Sequence, residues 1–177
     1  MRAPVDAERL GVLMRHLGAA ARHPGRVYFT GGATAVLQGW RTSTIDVDLK
    51  MAPEQDELFR AIPRLKDALS INVELASPAD FIPELPGWEA RSRTIRTEGP
   101  LTFCHYDFYA QALAKIERGH AIDVEDVEQL IRRGLIEPRR LIEFLDRIEP
   151  DLARYPALDP SSFRRAVEDV VARHGSP

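Results

Sequence analysis

A chain of 177 residues, 44% apolar and 29% charged, has the size and mix of one globular domain or of one domain with a small appended lobe. Its net charge of -3 excludes a global attraction to nucleic acid, so any polynucleotide contact has to come from a local patch. Cys104 is the only cysteine, which excludes an intrachain disulfide and suits a reducing compartment.

The N-terminus carries no continuous apolar signal core, and no run of about 18 apolar residues is present for a membrane span. The expectation is a soluble, cytoplasmic protein with no membrane partner. Of the 24 basic residues 21 are arginine; Lys50, Lys66 and Lys115 are the only lysines. That bias reflects genome composition and singles out each lysine that remains.

In chain order, residues 6–23 place Leu10, Leu13, Met14 and Leu17 at helical spacing behind an acidic turn, and Pro24-Gly25 ends the run. Residues 26–30 read as a short buried strand. A glycine pair, Gly31-Gly32, then opens a short helix over 33–38, and Gly39-Trp40-Arg41 forms a loop. Thr44 to Met51 alternates as a second strand. Pro53 suits the first turn of a helix over 54–69, with Leu58, Ile62, Leu65 and Leu69 inward; Pro63 predicts a kink or two short helices. Residues 71–75 read as a third strand, and Pro78, Pro83, Pro86 and Gly87 mark an irregular connection over 77–90. Residues 92–97 and 101–106, split by Glu98-Gly99-Pro100, predict a hairpin. Helices follow near 107–118, 123–133, 138–148 and 160–173. The fold class is α/β (α+β): a small mixed sheet flanked by helices over 1–106, then a helical C-terminal lobe over 107–177, together one compact unit.

The chemistry concentrates between Gly31 and Met51. Successive strand side chains face opposite ways, so Asp46 and Asp48 share one face while Ile45, Val47 and Leu49 share the other. Two carboxylates roughly 7 Å apart on one strand surface repel unless a cation lies between them. Mg²⁺ (or Mn²⁺) suits such a pair, because magnesium takes one or two carboxylates plus phosphate oxygens. The glycine pair lies where a strand turns into a helix, a place where backbone N–H groups and the helix dipole favour an anion. Arg41, just upstream, can grip phosphate through two parallel hydrogen bonds, and Thr44 is a second candidate phosphate contact. Each residue also has an ordinary reading: a solvated strand face for the aspartates, a plain turn for the glycines, a capped loop for Arg41 and Thr44.

These residues resemble the nucleotidyltransferase superfamily of the polymerase-beta type. Gly31-Gly32 is followed, after residues 33–45, by Asp46-Val47-Asp48, and Arg41 to Asp48 resembles the R-x-x-T-x-D-h-D form of bacterial toxin-type, abortive-infection-like members. Lys115-Ile116-Glu117-Arg118 with Asp123 and Asp126 is similar to the helical K-x-x-R … D-x-x-D segment of that group. The resemblance covers residues 25–135. It implies a metal-dependent transfer of a nucleoside monophosphate from an NTP to an RNA (a tRNA end among the candidates) or a protein acceptor. It also implies a toxin with a cognate antitoxin as partner. Asp46 and Asp48 would hold the metal with a third carboxylate, Glu74, or Asp80 as the alternative. Lys115 would hold the triphosphate as a point charge. Asp123 has two readings: an N-cap with Asp126 three residues on, or, with Asp126, a group orienting Lys115 or the substrate, with Arg118 as a further member. The pair is Gly-Gly rather than Gly-Ser, leaving Thr30 or Thr34 to supply a hydroxyl. A catalytically inactive nucleotide- or protein-binding relative is the second reading. A helix-turn-helix over 123–149 ranks last, because Glu125, Asp126, Glu128, Glu137 and Glu143 would repel phosphate. His105 and His120 show no metal spacing, Cys104 reads as inert core, and Trp40 and Trp88 as packing residues.

Overall fold

The computed structural model describes residues 3–175. The fold is mixed α/β, with one five-stranded mixed sheet and a helical C-terminal part. It divides into two compact units: a sheet unit reaching Ser77 and resuming over Ser92–Tyr106, and a helical unit of Pro78–Arg91 with everything from Asp107 on. The irregular stretch after Ser77 therefore belongs with the helices rather than with the first 106 residues.

In the sheet unit, α1 (Ala7–Ala20) starts where the Asp6 side chain accepts the Arg9 backbone N–H at 2.9 Å, an ordinary N-cap. Its Leu10, Leu13, Met14 and Leu17 are fully buried, and each such side chain contributes about 1.5–3 kcal/mol of transfer free energy. β1 (Gly25–Thr30) leads directly into α2 (Gly31–Gln38), which begins at the glycine pair itself, two residues earlier than the spacing predicts. β2 (Asp46–Ala52) follows, then α3 (Asp56–Ala68) and β3 (Asn72–Leu75). Two expectations for α3 are corrected. Pro53 lies before the helix, whose N-cap is Gln55, and Pro63 sits within one continuous helix instead of dividing it. Pro63 is on the exposed side, where water can meet the carbonyl it leaves unpaired, while Leu58, Ala61 and Ile62 hold the opposite face in the core. β4 (Arg93–Glu98) and β5 (Leu101–His105) form the expected antiparallel hairpin.

The strand order is β3-β2-β1-β5-β4. β1 pairs antiparallel with β2 and parallel with β5; β2 pairs parallel with β3, a connection that requires the α3 crossover. Val47, Leu49 and Met51 of β2 enter the core with Val27, Phe29, Val73, Leu101 and Phe103, beneath the apolar stripes of α1 and α3. Alternation then places Asp46, Asp48 and Lys50 on the opposite face.

The helical unit contains a short helix α4 (Trp88–Arg91), then α5 (Phe108–Arg118), α6 (Ala121–Arg132), α7 (Pro138–Ile148) and α8 (Pro160–His174), with 3₁₀ turns at Pro78–Asp80 and Glu149–Arg154. Asp107 caps α5 by accepting the Tyr109 N–H, and Gly119, in the left-handed region, ends it. Leu113, Leu130, Leu141, Phe144, Leu145 and Val167 are among its buried residues. Among the described residues no helix is long and apolar enough to cross a membrane.

Candidate functional site

The glycine elbow and the carboxylate strand meet in the sheet unit. Thr30, the N-cap of α2, is paired with Asp48 across the β1–β2 ladder. Gly31 has φ +60°, and a Cβ added there would lie 3.2 Å from Asp48 Oδ2. At Gly32 a Cβ would lie 2.0 Å from Thr44 Oγ1, 2.8 Å from Thr44 Cβ and 3.5 Å from Arg41 Nη1. Only glycine allows that approach. Gly31, Gly32, Arg41, Thr44 and Asp48 therefore converge on one spot, at the N-terminal and electropositive end of α2. Thr44 Oγ1 donates to the Asp46 carbonyl at 3.0 Å, which ties the loop to the start of β2.

The parallel β2–β3 register sets Asp46 beside Asn72 and Asp48 beside Glu74. Glu74 is thus on the aspartate face, whereas Asp80 lies in a 3₁₀ turn of the helical unit. Asn72 was not singled out from the sequence, yet its Nδ2 donates to Asp46 Oδ1 at 2.7 Å and to Glu74 Oε1 at 3.0 Å. The available signal was its position two residues before Glu74 on the same strand face. Among the described residues no three acidic, histidine or cysteine side chains are gathered as a ligand group. An amide stands between Asp46 and Glu74 instead. What the donor set suits is a two-carboxylate site: hard oxygens from Asp46 and Asp48, beside a glycine cradle, with remaining positions left for phosphate and water.

Thr34, considered as a phosphate contact, is buried and turned away. Its Oγ1 lies 3.3 Å from the Phe29 carbonyl and 3.1 Å from His105 Nδ1, while Gln38 Nε2 lies 3.0 Å from His105 Nε2. With the Gln38 amide as donor, the imidazole carries its proton on Nδ1 and the Thr34 hydroxyl passes the chain on to Phe29. Burial, followed by the charge of Arg93, pushes the His105 pKa down to about 4. This histidine is a neutral strut between α2 and β5. Cys104, also buried, has its thiol pushed up by desolvation.

Lys115 and Asp123 occupy the helical unit. Lys115 is 6% exposed, and its Nζ donates to Asp126 Oδ2 at 2.6 Å and to Asp123 Oδ1 at 3.3 Å. Arg118 Nη2 donates to the same Asp123 oxygen at 2.7 Å, and Asp123 Oδ2 is buried without a hydrogen bond. The N-cap reading of Asp123 is corrected: α6 begins at Ala121 with His120 as its cap, so Asp123 stands in the first turn with its side chain directed at the two cations. The ammonium expected to hold a triphosphate is enclosed by carboxylates.

Trp88 is buried and Trp40 is half-buried. No family model, no curated protein and no solved structure matches this chain.

Proposed function

We propose that the chain is a nucleotidyltransferase of the polymerase-beta type, using Asp46 and Asp48 with Mg²⁺ to transfer a nucleoside monophosphate from an NTP to an RNA or protein acceptor. One observation supports the reading: the Gly31-Gly32 elbow lies against Thr44, Arg41 and Asp48, at the strand that also carries Asp46. Two acids on adjacent same-face positions of a strand are costly without a cation, since aspartate is a poor strand former and like charges repel.

In the reaction an acceptor hydroxyl releases its proton to solvent as its oxygen forms a bond to the α-phosphorus, the bond from that phosphorus to the bridging oxygen breaks, and pyrophosphate leaves with the electron pair. Bound at Asp46 and Asp48, the magnesium ion would supply charge neutralisation for the phosphates and for the attacking oxygen. The chain's own contribution is positioning: backbone N–H groups at the start of α2 face the phosphates, and the Arg41 fork grips their oxygens. Asn72 holds the Asp46 carboxylate at one oxygen and leaves the other for a ligand. Lys115 takes no part in this scheme, because its ammonium is spent on Asp123 and Asp126.

The test is incubation of the protein with each α-³²P-labelled NTP, Mg²⁺, total RNA and cell protein. Label should reach an acceptor with the wild type and fail to do so with Asp46→Asn/Asp48→Asn. Label that still transfers in the double variant removes the assignment.

The Asn72 amide between Asp46 and Glu74 favours a second reading, a binding protein without catalysis. It predicts nucleotide affinity that is indifferent to Mg²⁺ and no transfer to any acceptor.

A further inference from the structure

The strand order β3-β2-β1-β5-β4 leaves two sheet edges, and they are built differently. β4 carries a register shift between Thr94 and Arg96 and three charged residues, Arg93, Arg96 and Glu98. A bulge and charged side chains keep an edge from pairing further. The β3 register is regular, and Glu74 is the only charged residue of that strand. The Ala76 N–H donates to the Leu49 carbonyl at 3.2 Å, which sets the alternation of the parallel ladder. Asn72 and Glu74 turn their main-chain groups to β2, and Val73 and Leu75 turn theirs outward. The edge therefore presents two N–H donors and two carbonyl acceptors, with a repeat of about 7 Å along the strand. Among the described residues no strand lies beyond it, and the Leu75 side chain is 52% exposed beside those groups.

Next to this edge lies a groove of about 620 Å³, lined by Phe59, Ile62 and Pro63 of α3 with Val73 and Leu75 of β3. Pro63 has no N–H to give, which leaves the Phe59 carbonyl without its helical partner on that wall. The opposite face of the strand is acidic: the exposed Glu74 stands beside Asp48 in the register, and the exposed Asp46 beside Asn72. We propose that β3 is the docking edge for an extended peptide of another protein, added antiparallel as a further strand. Its apolar side chains lie on the groove face and its cationic side chains on the Glu74 face. A polypeptide main chain supplies donors and acceptors at the repeat of the outward Val73 and Leu75 groups, and the antiparallel ladder is the more stable of the two. In that ladder the peptide residue opposite Val73 shares the Val73 face, so its N–H and C=O bond to Val73 while its side chain enters the groove. The residues on either side of it face Glu74, where a lysine or arginine meets an exposed carboxylate. A second copy of β3 fits less well, because it would bring a further Glu74 to the acidic face. The edge binds through main-chain groups of β3 and uses none of the β2 carboxylates as ligands, so it stands or falls separately from the transfer reaction.

The full chain is titrated into a fluorescein-labelled peptide of alternating lysine and valine, about eight residues long, and anisotropy is followed. Methylating the valine nitrogens should weaken binding by about 100-fold, whereas methylating the lysine nitrogens, which point away from β3, should change it by less than about threefold. Leu75→Pro removes one outward N–H without touching the ladder to β2 and should cost about tenfold. Glu74→Lys should cost about fivefold. Should the proline variant fail to fold, the two methylated peptides decide the matter on the wild-type chain. The proposal is overturned if both methylated peptides bind alike, if a folded Leu75→Pro protein binds as the wild type does, or if oligolysine of matched charge competes as well as the alternating peptide. It is also overturned if sedimentation shows a wild-type dimer that Leu75→Pro dissociates, because a second copy then occupies the edge.

Discussion

Replacing Lys115 by methionine tests which of two jobs that lysine does. Asp126 is 0% exposed and Asp123 1%, and both direct oxygens at Nζ. Methionine fills the volume of the stem but takes away the cation that stands 2.6 Å from the buried Asp126 carboxylate; Asp123 keeps Arg118 at 2.7 Å. Breaking a buried pair in this way costs about 3–5 kcal/mol, because the abandoned charge stays desolvated. The reporter is Trp88, buried in the helical unit, read by fluorescence during urea unfolding in a Trp40→Phe background. Adding Asp126→Asn to Lys115→Met removes the stranded charge and should restore more than half of the loss. A Lys115→Met protein within about 1 kcal/mol of its parent refutes the reasoning. If that protein also lost nucleotide transfer, the phosphate-holding role expected from the sequence would return.

His105 makes stability depend on acidity. Its folded pKa, about 4, lies below the ordinary 6.5, so the stabilisation is present above pH 6.5 and is lost as pH falls towards 4. Urea unfolding should show about 2 kcal/mol less stability at pH 5 than at pH 7 from this group, and His105→Gln should flatten that slope. Gly32→Ala drives a methyl group into Thr44 and should cost about 1–3 kcal/mol, measured by thermal unfolding; adding Thr44→Gly should recover most of it. Asn72→Asp puts a further negative charge between Asp46 and Glu74, so the fold should weaken without divalent ions and regain stability in Mg²⁺, seen as a melting temperature that rises with the ion. Asp107→Ala removes the α5 cap and the partner of Arg91 together, and a loss of about 3 kcal/mol is expected in the same urea assay.

Local rules account for what could be read in advance. The period of Leu10, Leu13, Met14 and Leu17 and the Asp6 cap define α1 without reference to any other segment, and the alternation of Asp46 to Leu49 assigns the acids and the apolar residues to opposite faces of β2. Pro63 misleads because its effect depends on what holds the rest of the helix: three buried side chains on the far face outweigh one missing hydrogen bond on the wet one. The boundary near residue 106 misleads for a similar reason. The segment from Pro78 to Arg91 follows β3 in sequence, but its buried residues Ile82, Leu85 and Trp88 belong to the helical unit.

Residue type and spacing determined most of the helices and strands and the shared face of the two aspartates, since each depends on neighbours a few positions away, whereas the β1–β2 register brought the glycine elbow to Asp48. Tertiary structure decided the partners. Asn72 reaches Asp46 only through the parallel β2–β3 register, and Lys115 finds Asp123 and Asp126 because α5 and α6 fold back on each other after Gly119. Three arginines from α4 and α7 gather on Phe144 because that ring is where two distant segments meet. A side chain's own chemistry says what it can bind; the packing of the chain decides whether another part of the protein has already bound it.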